Sequence, residues 1–420
     1  MITAYWRHLH LFSRDARLVL STTALAAFSY LAIYTMLFNL YLLRLGYGPQ
    51  FIGLINAGAQ LTFALFSLPA GALGRRWGAR RTSMLGLSIT VVTFLALPLA
   101  ELFVGEWQQR WLMLTYLTAW LGGALYLVNS YPLLMQATDP AERNHVFSVR
   151  QALSPMGNFL GHLVGGILPG GVALLLAVSL DHPAPFRYGL VVAALALIPG
   201  VLALRAVQVD TQPQTRQART ATTDPAPIEL IAFMALLMFL HVGAVSAANT
   251  FFGVYLDDYF HLSPTWIGLL AAAGQLLAIP MALVTPTAIA RWGKRQTILI
   301  GFLGSALSLL PMALVPHWGA AGLSFIALNA LVAFTTPALF ICQQEIVAPS
   351  WRPLMSGAIV MARGGSTALM AFSGGYLITA FGYPTLFLTG ALLAALGGGL
   401  IWIYTWFPRQ LIIRRVAVNL

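Results

Sequence analysis

Two histidines, His162 and His241, stand in long apolar stretches of the chain. Imidazole is the side chain whose ordinary titration falls nearest neutral pH, so each could carry a proton. Either could also contact a solute, or serve as a neutral hydrogen-bond partner between helices. Glu345 is the one carboxylate inside an apolar run; the other acids fall in polar connections or near run ends. A coupling proton thus has three candidate carriers: His162, His241 and Glu345. Neutral polar side chains form a second set. Tyr30, Tyr34, Gln60, Asn129, Asn158, Gln275 and Asn329 join the two histidines as candidate contacts for a small-molecule substrate. Polar groups are costly in hydrocarbon, so those retained face protein or a water-filled cavity. A plain interhelical hydrogen bond remains open to each of them. Catalytic constellations do not appear: there is no H-E-x-x-H, no G-x-S-x-G, no Cys/His ligand cluster and no G-x-x-x-x-G-K-[S/T] loop. We therefore expect no enzyme activity, no catalytic residue, no metal and no cofactor.

The elements that must hold these residues are membrane spans. Hydrophobic residues make up 59% of the 420-residue chain and charged residues only 8%, against roughly 25% charged in soluble domains. A span needs about 20 apolar residues. Twelve such runs are predicted, at 18–43, 49–74, 82–102, 109–136, 146–176, 187–205, 228–256, 264–289, 297–315, 319–346, 354–380 and 384–406. The expected fold is an all-α membrane protein of two six-helix bundles, 18–205 and 228–406. An amphipathic lead-in (1–17), a polar proline-containing linker (206–227) and a tail (407–420) complete the chain. All lysines and arginines except Arg44, Arg110 and Arg187 fall on one side of this topology. By the positive-inside rule that side is the cytoplasm, with both termini in it. The net charge of +11 then reflects topology, not a nucleic-acid partner. The expected setting is the inner (plasma) membrane, with the lipid bilayer as partner and a monomer as the assembly.

The two halves repeat. Pro49–Gly86 aligns without a gap on Pro264–Gly301, matching Pro49/Pro264, Gly53/Gly268, Gln60/Gln275, Arg76/Arg291, Trp77/Trp292, Gly78/Gly293, Arg80/Arg295, Thr82/Thr297 and Gly86/Gly301. Shared hydrophobicity alone does not place glycines and polar residues in register, so the halves are structural repeats. Six spans per half make the copies parallel, which implies a pseudo-twofold axis along the membrane normal. The repeated element is a span, a short basic turn and the next span. Glycine in that turn allows positive φ, and the arginines can bind helix-end carbonyls or anionic lipid. The turn is either a topology signal or a conformational latch. Arg363, with Arg150 at the start of the eleventh and fifth spans, suits a gate or a topology charge.

In the first turn, Gly71, Arg76, Gly78 and Arg80 resemble the G-x-x-x-D-R-x-G-R-R signature of the major facilitator superfamily, with Arg75 at the usual aspartate. On the fifth span, Gly157, Gly161, Gly165 and Gly166 resemble the family's exporter pattern G-x-x-x-G-P-x-x-G-G, with His162 at the proline. Thr118 stands where exporters often carry an arginine on the fourth span. The resemblance implies alternating access. It also implies gating by Gly71, Arg76, Gly78 and Arg80 and by their mates Arg291, Gly293 and Arg295. Export of a small amphipathic or drug-like molecule is the first expectation. Uptake or facilitated diffusion of a neutral solute such as a sugar is the second. A non-transporting receptor or lipid scramblase on the same scaffold is a reading of another class.

Overall fold

Every apolar run forms a helix, with its ends set by familiar signals. The computed structural model describes residues 12–139, 142–208, 227–348 and 351–406. Most of the predicted lead-in, residues 209–226 of the linker and the tail from 407 lie outside the described residues. In chain order the helices are α1 (Arg14–Arg44), α2 (Pro49–Trp77), α3 (Ala79–Ala96, continued by a 3-10 turn, Leu97–Leu102), α4 (Glu106–Gln136), α5 (Arg143–Leu176) and α6 (Ala184–Ala206). They continue with α7 (Ile228–Asp258), α8 (Pro264–Leu314), α9 (Trp318–Glu345), α10 (Arg352–Phe381) and α11 (Tyr383–Trp406). No strand occurs among the described residues.

Ten of these helices are long and apolar enough to cross a membrane. One of the ten, α8, runs 51 residues and is non-helical at Gly293, so it holds the eighth and ninth predicted spans as two limbs. With α10 also counted, the helices follow the order that hydropathy predicts. Large apolar side chains point outward in number: Leu68, Leu174 and Leu175 are 81%, 85% and 87% exposed. In water such a surface would aggregate; against lipid it is the required solvent face.

Local sequence explains the helix ends. The Ser13 hydroxyl accepts from the Ala16 N–H at the start of α1, and His317 accepts from Gly319 at the start of α9, each satisfying an otherwise orphan donor. Pro49 and Pro264 occupy first helical positions, where a missing N–H costs nothing. A π-helical stretch, Ala26–Tyr34, widens the middle of α1 and carries Tyr30 and Tyr34. Such stretches are frequent at functional positions.

The described chain forms two compact units that do not follow chain order. The first contains residues up to 208 together with 250–276 and 371–376; the second contains 227–249, 277–370 and 377–406. Aromatic rings dominate the first core: Tyr30, Tyr34, Phe38, Phe94 and Tyr116 are all buried. Aliphatic side chains dominate the second, including Ile231, Met238, Ile298, Leu339 and Ile401 around Phe302. The repeat mates Gly86 and Gly301 have equivalent jobs in the two units. A Cβ on Gly86 would lie 2.5 Å from the Gly122 carbonyl oxygen, and one on Gly301 would lie 1.8 Å from Thr335 Oγ1. Each lets its helix press against the next.

Candidate functional site

The first unit contains two backbone crossings built from the same repeat positions. Near the start of α2, a Cβ on Gly53 would fall 2.3 Å from the Ala371 oxygen of α10, and one on Gly375 would fall 2.5 Å from the Pro49 oxygen. Near the start of α8, a Cβ on Gly268 would fall 2.4 Å from the His162 oxygen of α5, and one on Gly166 would fall 2.9 Å from the Pro264 oxygen. Thr265 Oγ1 adds a 3.2 Å bond to the Gly166 oxygen. The matched pairs Pro49/Pro264 and Gly53/Gly268 therefore do equivalent work: they bring helices from opposite halves of the chain to backbone contact. Small residues make this approach possible where lipid gives helices no hydrophobic reason to associate. The same glycine row on α5 also seats α1, because a Cβ on Gly161 would meet the Phe28 oxygen at 2.2 Å.

Charge pairing reinforces this end of the unit. Arg44, in the last turn of α1, grips Asp257, in the last turn of α7, with two bonds of 2.6 and 2.7 Å. The Arg44 Nε also donates to the Leu180 oxygen at 2.8 Å, and its guanidinium lies 5.2 Å from the Phe186 ring centroid. The Asp257 side chain is only 5% exposed, so removing its partner would leave a buried charge without compensation. Beside it, Glu101 accepts from Tyr41 at 2.9 Å and from Arg187 at 2.6 Å.

Deeper in the same unit runs a polar chain. Tyr116 OH faces Asn56 Oδ1 at 3.5 Å, Asn56 Nδ2 donates to Asn39 Oδ1 at 2.9 Å, and Asn39 Nδ2 donates to the Thr250 oxygen of α7 at 3.2 Å. Trp120 lies beside this chain, its ring 5.5 Å from Tyr30, 6.1 Å from Phe63 and 6.3 Å from Tyr116. The buried Tyr30 OH and Trp120 Nε1 have no hydrogen-bond partner among the described residues.

The sequence profile of the Major Facilitator Superfamily matches residues 19–235 and again 234–415. The chain belongs to the Major Facilitator Superfamily. It is a multi-pass membrane transporter and not an enzyme. Tetracycline resistance protein, class C, of Escherichia coli is 28% identical over 254 residues, covering 58% of this chain and 59% of that protein. The match thus spans less than two thirds of that relative. A mutant of the nucleoside transporter NupG superposes with a TM-score of 0.73 at 14% identity, over 92% of this chain and 99% of that one. A D-xylose–proton symporter gives 0.73 at 14% identity, over 93% and 97%. At such identities the two structures speak to the fold alone.

Within this superfamily member the predicted site residues scatter into three groups. Tyr30, Tyr34, Gln60, Asn158, His162 and Gln275 belong to the first unit. Tyr34 is fully buried and donates to the Phe94 oxygen at 3.3 Å. Gln60 and Gln275 are half-buried. His162 Nδ1 lies 2.7 Å from the Asn158 oxygen one turn back, and the buried Asn158 Oδ1 has no partner among the described residues. Asn129 is spent on packing: it donates to the Ala70 oxygen at 3.0 Å and the Leu125 oxygen at 2.9 Å. In the second unit, His241 is buried 5.0 Å from the Phe302 ring, and neither of its nitrogens has a partner among the described residues. Asn329 donates to the Phe325 oxygen of its own helix at 2.9 Å.

The third group occupies the basic turns. Gly78 and Gly293 share one unusual backbone state, φ 87° and ψ 142° against φ 80° and ψ 161°. Arg80 donates to the Leu204 oxygen at 3.2 Å and also to the Arg205 oxygen, capping the end of α6. Lys294 pairs with Glu345, the last residue of α9. Arg76, Arg291, Arg295 and Arg363 are exposed, and Gly71 is half-buried on α2. Arg150, by contrast, is buried between the hydroxyls of Thr23 and Ser130, 3.9 Å from the Tyr131 ring centroid. Sequence reasoning missed Arg44, Asp257, Asn39, Asn56, Tyr116 and Trp120. The signal that was available is the position of Arg44, one of three basic residues on the sparsely charged side.

Proposed function

We propose that this protein is a secondary transporter that works by alternating access and exports a small amphipathic molecule. The single observation that carries the reading is the pair of equivalent glycine crossings, Gly53 with Gly375 and Gly268 with Gly166. Two like contacts, made from the same repeat positions, can part and reform together at modest cost. Such an element is what a transporter needs to open one side at a time. The Arg44–Asp257 pair then acts as the lock on that side, and the turns at Gly78 and Gly293 as the hinges on the other.

The substrate contacts in this reading are Tyr30 and Trp120 with the Asn56–Tyr116 chain, joined by Gln60 and Gln275. Aromatic faces beside amide groups suit a flat, partly apolar solute. The glycine row on α5 and the similarity to a tetracycline resistance protein favour export. His241 is the proposed proton carrier, as the imidazole in the middle of α7, and His162 is the alternative. Glu345 is tied to Lys294 and is proposed as a gate residue. Both termini are proposed to lie in the cytoplasm. Uptake of a neutral, hydroxyl-rich solute is the second reading, favoured by the amide–phenol chain of Asn39, Asn56 and Tyr116.

The test is flux in proteoliposomes under an imposed pH gradient, using a fluorescent amphiphile and a radiolabelled pentose in parallel. Export of an amphipath predicts saturable, gradient-dependent movement of the dye only. Movement of the pentose alone replaces the first reading by the second. Movement of lipid without either solute would overturn both.

A further inference from the structure

The second copy of the repeated turn opens onto a cavity. It has a volume of about 270 Å³, with Phe233, Met234 and Leu237 of α7, Ile298 of α8, Leu339 of α9 and Ile401 of α11 on its walls. Lys294, Arg295 and Glu345 stand at its polar rim. A more open basin of about 970 Å³ shares Lys294 and Arg295 and is bordered by Trp292 and Trp402. All these residues belong to the second unit. A half-open apolar chamber thus meets a basic rim at the end of the helices, with indoles beside it as at a membrane–water interface. Arg291 is exposed close by, so the rim stays net positive after Lys294 has paired with Glu345.

We propose that this cavity binds an anionic phospholipid, with the phosphate held by Lys294 and Arg295 and part of one acyl chain laid into the apolar chamber. A free phosphate would gain nothing from Phe233, Leu237 or Leu339. A neutral lipid would leave the net charge of the rim unanswered. An anionic headgroup joined to a hydrocarbon chain matches both surfaces. Basic pockets between helices on the positively biased side of a membrane protein suit such headgroups. The first copy of the turn differs: Arg80 is committed to the carbonyls that end α6.

The chain carries its own reporter, because its one cysteine, Cys342, lines the cavity. Full-length protein in nanodiscs is labelled with a neutral maleimide, in phosphatidylcholine alone and with phosphatidylglycerol added. Labelling is expected to slow about tenfold with the anionic lipid, as near-full occupancy of a covering ligand demands. The Lys294→Gln/Arg295→Gln variant should lose that protection. Inorganic phosphate added to phosphatidylcholine discs should give none. Equal rates in the two lipids, or equal protection of the variant, would overturn the proposal. Protection by inorganic phosphate would reassign the site to a free anion. If the variant does not fold, native mass spectrometry of the wild-type protein decides: retained phosphatidylglycerol over phosphatidylcholine supports the site, and indifference between them refutes it.

Discussion

The two ends of the repeated segment keep their glycines for different physical reasons. At the crossing end, Gly53 and Gly268 are regular helix residues whose missing Cβ lets another backbone come close. At the turn end, Gly78 and Gly293 adopt a φ near +80° to +90° that L side chains avoid. The crossing end joins α2 to α10 and α5 to α8, whereas basic residues at the turn end bond within their own half, Arg80 to α6 and Lys294 to α9. One end of the repeat thus brings backbones into contact and the other bends the chain; the proposed alternating cycle would use the first as gate and the second as hinge.

The largest expected effect comes from breaking the lock at the crossing end. Arg44→Ala should destabilise the crossed arrangement by about 3–5 kcal/mol, because Asp257 is left buried and unpaired. A paired Arg44→Met/Asp257→Leu change should recover much of this. Thermal unfolding in detergent reads both, and a double variant no better than Arg44→Ala would break the comparison. Next comes Gly53→Ala, whose Cβ must displace the Ala371 carbonyl at a cost of about 1–3 kcal/mol. Gly268→Ala should match it within error if the crossings are equivalent. A large effect at one and none at the other, in flux or in unfolding, would deny the equivalence.

Gly78→Ala and Gly293→Ala should each cost about 1–3 kcal/mol by strain of the turn. Unlike the crossing variants, they should leave accessibility near Gly53 unchanged in cysteine-labelling experiments. The smallest stability effect belongs to Arg80→Gln, which removes two bonds to the end of α6 and should cost about 0.5–1.5 kcal/mol. Replacing His241 by Ala should change the pH dependence of flux, since imidazole is the side chain able to carry the coupling proton. A pH profile equal to that of the wild-type protein would remove His241 from the coupling path.

Much of this fold is legible in the amino-acid sequence. Hydropathy and interior glycines locate the spans, and the gapless match of Pro49–Gly86 with Pro264–Gly301 exposes the repeat. The turn glycines are legible as well, since glycine beside arginines between two apolar runs has a backbone reason to be there. The site is less legible. Arg44 and Asp257 lie far apart in the chain and are not repeat mates, so neither periodicity nor the internal alignment can pair them. Asn56 aligns with Ala271, which hides it from a search for matched polar pairs. Asn129 is also a polar residue in mid-span, and its bond to the Ala70 carbonyl is one that no sequence pattern announces. Gln60 and Gln275 are matched and half-buried, and only a functional readout separates a cavity contact from a packing role.

The proposed gate is tested most directly by a distance. Spin labels on Leu54→Cys and Phe372→Cys, in a Cys342→Ser background, report the crossing of α2 with α10 next to Gly53 and Ala371. In lipid nanodiscs, two distance populations are predicted, with proportions that shift with pH or with an added amphiphile. One short distance, unchanged under every condition while the protein still moves solute, would contradict the gate.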